Sequence, residues 1–359
     1  MPSSRLLLAS SAAAMAAVGA AILLTRDGAP PATSLLHVSF DPTRELFADI
    51  NISFAPRWRH ENGEPTEEPE QPLIDIRQSH GGSGKQARAV IDGLKADIVS
   101  LALAHDIDMI AQAGNRISRD WRARFPFESS PMTSTIVFIV RQGNPKGVHD
   151  WSDLARPGVR LVFPNPKTSG GARWSYLAAW GFATDQVAGD ADEKDRHAAA
   201  FVGELLANVV MFDTGARSAA NSFAQRRVGD ALVSWESDAI LLLAEFPTQG
   251  FEVVYPSVSI VAEPCIAVVD RVADEHGTAA AARAYIEYLY TDEGQRIIAS
   301  HGFRPRSEAI AAAHAAKFPA IRQFTLAERF GDWAAVHERH FASGGTLDAA
   351  MAARAENER

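Results

Sequence analysis

Short apolar stretches alternate with stretches of helical periodicity through most of this chain. Helical patterns separate the predicted strands at residues 35–40, 73–77 and 96–103, and the same alternation returns between residues 159 and 243. Strands that alternate with helices form parallel sheets with helices on both faces. Ligands of such sheets collect at the carboxyl ends of the strands, where the helices begin. We therefore expect an α/β fold whose binding site lies at these junctions.

Four of the strand-to-helix junctions share one chemistry, because glycines or small polar residues stand where the helix starts. The first N–H groups of a helix have no partner within the helix and lie at the positive end of its dipole. For any one junction alone, tight turns and helix caps would be the better explanation. Their recurrence in one chain favours a common anion, bound by several helix starts. The segments are PNPKTSGGARW at 164–174, SHGGSGKQ at 79–86, DPTR at 41–44 and DTGARS at 213–218.

Nucleotide-binding and hydrolase motifs fit the glycine-rich segment at 79–86 poorly. A P-loop would need a glycine in place of Ser79 and a hydroxyl in place of Gln86. A nucleophile elbow of the form G-x-S-x-G fails because Lys85 occupies its second glycine position. The segment therefore predicts neither nucleotide binding nor an activated serine.

The histidines and the single cysteine offer no catalytic centre. His80 and His105 lack a partner at the spacing of a metal site, and Cys265 lies in an apolar run typical of a buried strand. We expect His80 to be solvated or hydrogen-bonded and Cys265 to be a small buried apolar side chain. The sequence therefore predicts no metal, no cofactor and no enzymatic activity.

Length and charge narrow the class of protein further. At 359 residues the chain exceeds a typical single domain, so we expect two lobes. The net charge of −9 and the lack of a basic stripe argue against nucleic acid as a partner. With one cysteine, the chain cannot form an intrachain disulfide.

The first residues have the pattern of an export signal. Arg5 precedes an alanine-rich apolar run at 6–24, and small residues at 32–34 offer a cleavage site. We predict a signal peptide at 1–34 and export to the periplasm, with an uncleaved membrane anchor as the alternative. Farther along, glutamates and prolines at 61–70 predict a solvated acidic loop.

Longer motifs carry a resemblance to a known family. They are HVSFDPTREL, IRQSHGGSGKQA, TSTIVFIVRQGNPK, PNPKTSGGARWSYLAAWG, DTGARS and EGQRIIASHGFRPR, and they extend over nearly the whole chain after the leader. With these motifs the chain resembles the periplasmic sulfate-binding proteins of ABC importers, the sulfate and thiosulfate receptor family. The resemblance implies a two-lobed periplasmic-binding-protein fold of type II with the ligand in the interlobe cleft.

The apolar runs at 134–141 and 258–270 are predicted strands long enough to cross between lobes. On this basis we predict that lobe one contains residues 35–133 and 264–359 and that lobe two contains residues 138–258. The crossings are predicted at 134–137 and 259–263.

The resemblance also implies a set of ligand contacts. Trp235 in the sequence WES falls where the family has its ligand-binding tryptophan, while the Asp41 carboxylate is expected to cap its helix and face away from the anion. Direct ion pairs of Lys85, Arg173 and Arg217 with the ligand are conceivable, but an indirect role is favoured. The implied donors are the backbone N–H groups of Asp41, Ser83, Gly170, Gly171 and Ala216, the hydroxyl of Ser169 and the indole of Trp235.

A pocket of donors alone suits sulfate, which carries two charges and only acceptors at neutral pH. Hydrogen phosphate retains a proton that would face N–H groups, an arrangement that costs about 1–3 kcal/mol. We therefore expect a monomeric receptor that binds sulfate, with thiosulfate as a further ligand, and delivers it to the permease and ATPase of an ABC importer. Because none of these donors titrates near neutrality, affinity should change little between about pH 5 and 8. The alternatives are a receptor for molybdate or another tetrahedral oxyanion, and an exported phosphatase or sulfatase.

Overall fold

The computed structural model describes residues 33–61 and 74–357. The leader predicted at 1–34 therefore lies outside the described residues except for its last two positions. The acidic loop predicted at 61–70 lies outside them except for its first residue.

The strands of the described residues are short, and most are followed by a helix. They are β1 (Thr33–Phe40), β2 (Ile74–Gly81), β3 (Ile98–Leu101), β4 (Met132–Thr133), β5 (Ile136–Val140), β6 (Leu161–Pro164), β7 (Val209–Asp213), β8 (Ala231–Trp235), β9 (Glu252–Val254), β10 (Ser259–Ile260), β11 (Cys265–Val268), β12 (Arg304–Pro305) and β13 (Gln323–Phe324).

The helices include three that begin beside the glycine-rich or small-residue junctions. They are α1 (Arg44–Glu61), α2 (Ser83–Ile91), α3 (Ala104–Gln112), α4 (Trp151–Leu154), α5 (Gly170–Asp185), α6 (Ala191–Ala207), α7 (Ala216–Ala224), α8 (Glu236–Glu245), α9 (Asp270–His276), α10 (Ala279–Tyr288), α11 (Asp292–Ser300), α12 (Glu308–Ala313), α13 (Leu326–Phe330), α14 (Trp333–Val336) and α15 (Thr346–Asn357). A 3-10 turn, Asp41–Thr43, precedes α1, and a π-helical turn, His337–Phe341, follows α14.

Two separate sheets form the centre of the molecule. The first sheet has the strand order β11-β3-β1-β2, in which β1 is parallel to both β2 and β3 and β11 is antiparallel at the edge. The second sheet has the order β7-β6-β8-β5-β9, in which β6 is parallel to β7 and β8 while β5 is antiparallel to its neighbours. The predicted α/β fold class with mainly parallel sheets is confirmed.

The chain passes between the two sheets at a paired crossing. Ser134 and Ala262 exchange two backbone hydrogen bonds of 2.9 Å, so the outgoing and returning segments lie side by side. The short strands β10 and β13 pair in parallel next to this point. The predicted crossings at 134–137 and 259–263 fall in this region, and the division of the chain into lobes remains a prediction.

The C-terminal segment packs on the second sheet's helices. Helix α15 lies against α6, and the Tyr176 hydroxyl of α5 is 2.8 Å from the Thr346 hydroxyl. His340 and Phe341 of the π-helical turn contact the same Tyr176 ring. The predicted division places 264–359 with lobe one, yet His340, Phe341 and Thr346 of that range contact Tyr176 beside the second sheet.

Two predicted elements differ from the structure. The run at 258–270 is not one strand, because β10 ends at Ile260 and β11 begins at Cys265. Pro264 between them lacks the N–H that a continuous ladder needs. The glycines at 81–84 predict a turn between strand and helix, but Gly81 ends β2, Gly82 precedes the helix and Ser83 begins α2 directly.

Burial agrees with the apolar pattern of the sequence. Cys265 is buried, as predicted, and burial raises the pKa of its thiol to about 12. Between residues 33 and 357, apart from the undescribed gap, no helix is long and apolar enough to cross a membrane.

Candidate functional site

An inner cavity lies where the carboxyl ends of the two sheets' parallel strands face each other. The space open to the centre of a water-sized sphere is about 20 Å³, little more than the roughly 10–15 Å³ that one water molecule requires. The cavity therefore fits a compact ligand. All seven residues expected to bind the anion are among those that line it, namely Asp41, Ser83, Ser169, Gly170, Gly171, Ala216 and Trp235.

The five expected backbone donors stand at the first or second position of a helical segment. Ser83 begins α2, Gly170 and Gly171 begin α5, and Ala216 begins α7, while Asp41 begins the 3-10 turn. At these positions the N–H groups have no acceptor within the helix and point along the positive end of the dipole. Helix starts from both sheets therefore converge on one small volume.

The two expected side-chain donors already have structural partners. Ser169 precedes α5, and its Oγ accepts a hydrogen bond from the Ala172 N–H at 3.3 Å, which leaves the hydroxyl proton available for a ligand. The indole Nε1 of Trp235 donates to the Gly171 carbonyl at 3.1 Å. Both groups lie at the cavity wall. To donate to an anion, the indole N–H must leave the Gly171 carbonyl or divide its hydrogen bond between the two acceptors.

Asp41 differs in one respect from the prediction. Phe40, not Asp41, holds the N-cap position, and no side chain caps this turn. Asp41 is the first residue of the turn, where the dipole favours an acidic side chain. Its carboxylate is 4.0 Å from the Arg44 guanidinium, and burial raises the pKa of Asp41. The expected capping role of the carboxylate is therefore wrong, although its backbone N–H keeps the expected place.

The cationic side chains next to the helix starts lie outside the inner cavity. Lys85 and Arg217 line an outer groove of about 790 Å³, and Arg217 pairs with Glu245 at 3.1 Å and with Glu45 at 3.5 Å. Arg173 donates to the Pro166 carbonyl at 3.0 Å. This arrangement agrees with the indirect role favoured for these residues.

One carboxyl group of the cavity wall was not anticipated from the sequence. Asp238 lines the inner cavity from the first turn of α8, three residues after Trp235. Burial raises the pKa of Asp238 to about 7, and the nearby Asp41 carboxylate adds to this rise. The sequence places an acidic residue in the first turn of α8, but which face of that turn meets the cavity depends on how the helix packs.

His80 does not line the cavity, although it adjoins the glycines. Its Nδ1 is 2.7 Å from the Ser39 hydroxyl and its Nε2 is 2.7 Å from the Gln78 side-chain oxygen. Burial lowers the pKa of His80 to about 4. The hydrogen-bonded role expected for this histidine is confirmed.

The two halves of the site are in close contact across the cavity. A Cβ added to Gly82 would lie 2.8 Å from the Thr168 carbonyl oxygen, and one added to Gly170 would lie 2.9 Å from the Ser83 Cβ. The Trp174 indole also donates to the Ala102 carbonyl at 2.8 Å. The structure is therefore a closed arrangement, in which the helix starts of one sheet touch those of the other.

Metal-ligating clusters are not part of this site. In the described parts of the chain, no group of three or more His, Cys, Asp or Glu side chains is arranged to hold a metal ion.

Comparison with known proteins places this geometry in context. The family model of the bacterial extracellular solute-binding proteins matches residues 47–304. The sulfate-binding protein of Escherichia coli is 49% identical over 314 residues, which cover 88% of this chain and 92% of that protein. The thiosulfate-binding protein of Pseudomonas aeruginosa is 46% identical over 344 residues, covering 96% and 98% of the two chains.

A solved structure supports the same placement. The sulfate-binding protein SubI of Mycobacterium tuberculosis superimposes with a TM-score of 0.72 at 31% identity, covering 85% of this chain and 98% of that one. The family resemblance drawn from the motifs is confirmed. The chain therefore belongs to the bacterial extracellular solute-binding protein family, together with the sulfate-binding and thiosulfate-binding proteins.

Proposed function

We propose that this protein binds sulfate in the inner cavity, with thiosulfate as a second ligand. The observation that carries the proposal is the convergence of helix starts from both sheets on one compact, largely buried volume. The relatives named for sulfate and thiosulfate binding support this choice of ligand. The seven cavity residues expected from the sequence are the proposed contacts.

The donor set explains how a dianion is held without a cation in contact with it. Hydrogen bonds with a charged partner contribute roughly 1.5–3 kcal/mol each, so several amides together suffice. Lys85 and Arg217 lie in the outer groove, where they raise the local concentration of anions without touching the bound one.

The protein's place in transport follows from its family. Extracellular solute-binding proteins capture a ligand outside the cytoplasm. We propose that this one works in the periplasm as a monomer without enzymatic activity and delivers its ligand to the permease and ATPase of an ABC importer. The two lobes, 35–133 with 264–359 and 138–258, would open to release the anion and close to bind it.

Molybdate is the second candidate ligand, because it has the same charge and shape as sulfate but is larger. The small cavity of about 20 Å³ favours sulfate. An exported phosphatase or sulfatase would need an activated nucleophile or a metal cluster, and the described residues form no such cluster.

Calorimetric titration of dialysed protein with sulfate, thiosulfate, molybdate and phosphate tests the proposal. We expect tight binding of sulfate, weaker binding of molybdate and poor competition by phosphate. Because a ligand that bridges two lobes favours the closed form, saturating sulfate should also raise the melting temperature and reduce the radius measured by small-angle scattering. Tight phosphate binding, or a protein indifferent to sulfate in all three measurements, would rule the proposal out.

A further inference from the structure

Two neighbouring residues at the start of α8 have different surroundings. Trp235, the last residue of β8, lines the inner cavity. Glu236, the first residue of α8, does not line the cavity, and its side chain is fully buried. A buried carboxylate without a partner is costly, and next to an anion site its charge would also repel the ligand. Glu236 therefore needs a cation.

Arg304 supplies that cation through a bidentate ion pair. Its Nε donates to one Glu236 carboxylate oxygen at 2.6 Å, and its Nη2 donates to the other at 2.8 Å. Only 18% of the Arg304 side chain is exposed, so the pair is largely shielded from solvent. Bidentate pairs of arginine with a carboxylate fix the orientation of both groups as well as their distance. The start of α8 is therefore held at a defined place relative to Arg304.

Arg304 is itself held by segments outside the second sheet. It belongs to β12, which pairs with β4, and its Nη2 also donates to the Pro319 carbonyl at 2.8 Å. The Glu236 N–H donates to the Thr135 carbonyl at 2.8 Å, in the segment that passes between the sheets. The residue that follows Trp235 is thus fixed both through its backbone and through its side chain.

We propose that Arg304 is a positioning residue of the ligand site: by holding Glu236 it fixes the start of α8 and thereby the indole donor of Trp235. The inference rests on the proposed function, in which this indole N–H binds the anion. Arg304 does not line the inner cavity, so it acts through the ion pair and not on the ligand. A donor that supporting contacts already hold in place loses less freedom when a ligand binds, and affinity is higher for that reason.

Two substitutions that preserve charge test this role from the two ends of the ion pair. Arg304→Lys retains the cation but loses the planar fork, and Glu236→Asp retains the carboxylate but shortens its reach. We expect each to weaken sulfate binding about three- to tenfold in calorimetry, because the indole donor is displaced but not removed. Since the two variants perturb the pair from opposite sides, Glu236→Asp gives the answer if Arg304→Lys does not fold.

A double-mutant cycle separates positioning of the indole from general stabilisation of the fold. In protein that already carries Trp235→Phe, Arg304→Lys should weaken sulfate binding by less than about twofold, because the donor that it positions is gone. In protein that carries Ser169→Ala, which removes the donor before α5 instead, Arg304→Lys should keep its full effect.

Arg329→Lys is the matched control. Arg329 forms a similar bidentate pair with Asp185 at the end of α5, and neither residue lines the inner cavity. This variant should lower the melting temperature as Arg304→Lys does but retain the wild-type affinity for sulfate.

Three results would overturn the inference. The first is wild-type affinity in folded Arg304→Lys and Glu236→Asp. The second is an Arg304→Lys effect of equal size with and without the Trp235 indole. The third is a Trp235→Phe variant that binds sulfate as wild type does. A wild-type protein that does not bind sulfate would instead contradict the proposed function.

Discussion

Each proposed ligand contact is a hydrogen-bond donor, and the two side-chain donors can be removed singly. We expect Trp235→Phe and Ser169→Ala each to weaken sulfate binding by about 1.5–3 kcal/mol, because each loses one donor to a charged acceptor. Phenylalanine keeps most of the apolar bulk beside Phe40, so the fold should be retained. Calorimetry gives the affinity and thermal melting gives the stability. Unchanged titration curves for both variants would place the sulfate site elsewhere.

The sequence could reveal donors of this kind because their position depends on local rules. A glycine or hydroxyl at a helix start is visible in the chain, as at Ser169 and Gly170. Asp238 was missed because whether a first-turn carboxylate faces the cavity depends on how α8 is oriented in the whole molecule. The partners of His80 likewise depend on the register that places it opposite Ser39.

At the scale of elements, closure of the site brings the start of α2, with Gly82, against the start of α5, with Gly170. Gly82→Ala should weaken sulfate binding by about 1–3 kcal/mol, because the added Cβ would meet the Thr168 carbonyl oxygen at 2.8 Å in the closed form. Gly203→Ala in α6 is the matched control, since nothing lies within 4 Å of the added Cβ there. That variant should keep its affinity and gain up to about 1 kcal/mol of stability. Equal affinities of the two variants and wild type would show that this contact does not limit closure.

Apolar periodicity predicts which segments are helices and which are strands, but it does not predict all of their boundaries. The strands before the site residues and the helices after them were predicted close to their observed places, since each carries a clear apolar pattern. The apolar content of 258–270 predicts one strand, yet Pro264 interrupts the ladder there. The glycines at 81–84 predict a turn, whereas in the structure Gly82 allows close approach to the Thr168 carbonyl of the facing segment.

At the scale of the molecule, the C-terminal segment ties the two halves together. It packs on α5 and α6 through contacts such as that of Tyr176 with Thr346. The apolar periodicity of these segments does not predict that contact. In the same region His105 of α3 stacks on His337, with ring centroids 4.2 Å apart and an angle of 21° between planes. One ring follows the first sheet, and the other belongs to the segment that packs on the second sheet's helices.

This stacked pair should make the closed form sensitive to acid. Burial, aided by the neighbouring His337, lowers the pKa of His105 to about 4, and burial and Arg173 lower the pKa of His337. His105 Nε2 and His337 Nδ1 are covered and lack partners among the described residues. Groups whose pKa is depressed in the closed form stabilise it fully above their ordinary value of about 6.5 and less as the pH falls toward about 4. The other charged groups facing the pair are Asp108, Arg122, Lys167 and Glu338.

We therefore expect sulfate affinity and the melting temperature of the complex to decline between about pH 6.5 and 4.5, in contrast to the constant affinity that the direct donors alone would give over that range. His105→Phe keeps an aromatic ring against His337 but cannot be protonated, so the variant should lose much of this acid sensitivity. His149→Gln, a change at an exposed histidine, is the control and should leave the decline as it is in wild type. Titrations and melting curves of the three proteins across this range measure the effect. If His105→Phe and wild type declined in parallel, the acid sensitivity would have to arise from other groups, and the stacked pair would be only a packing contact between the two halves.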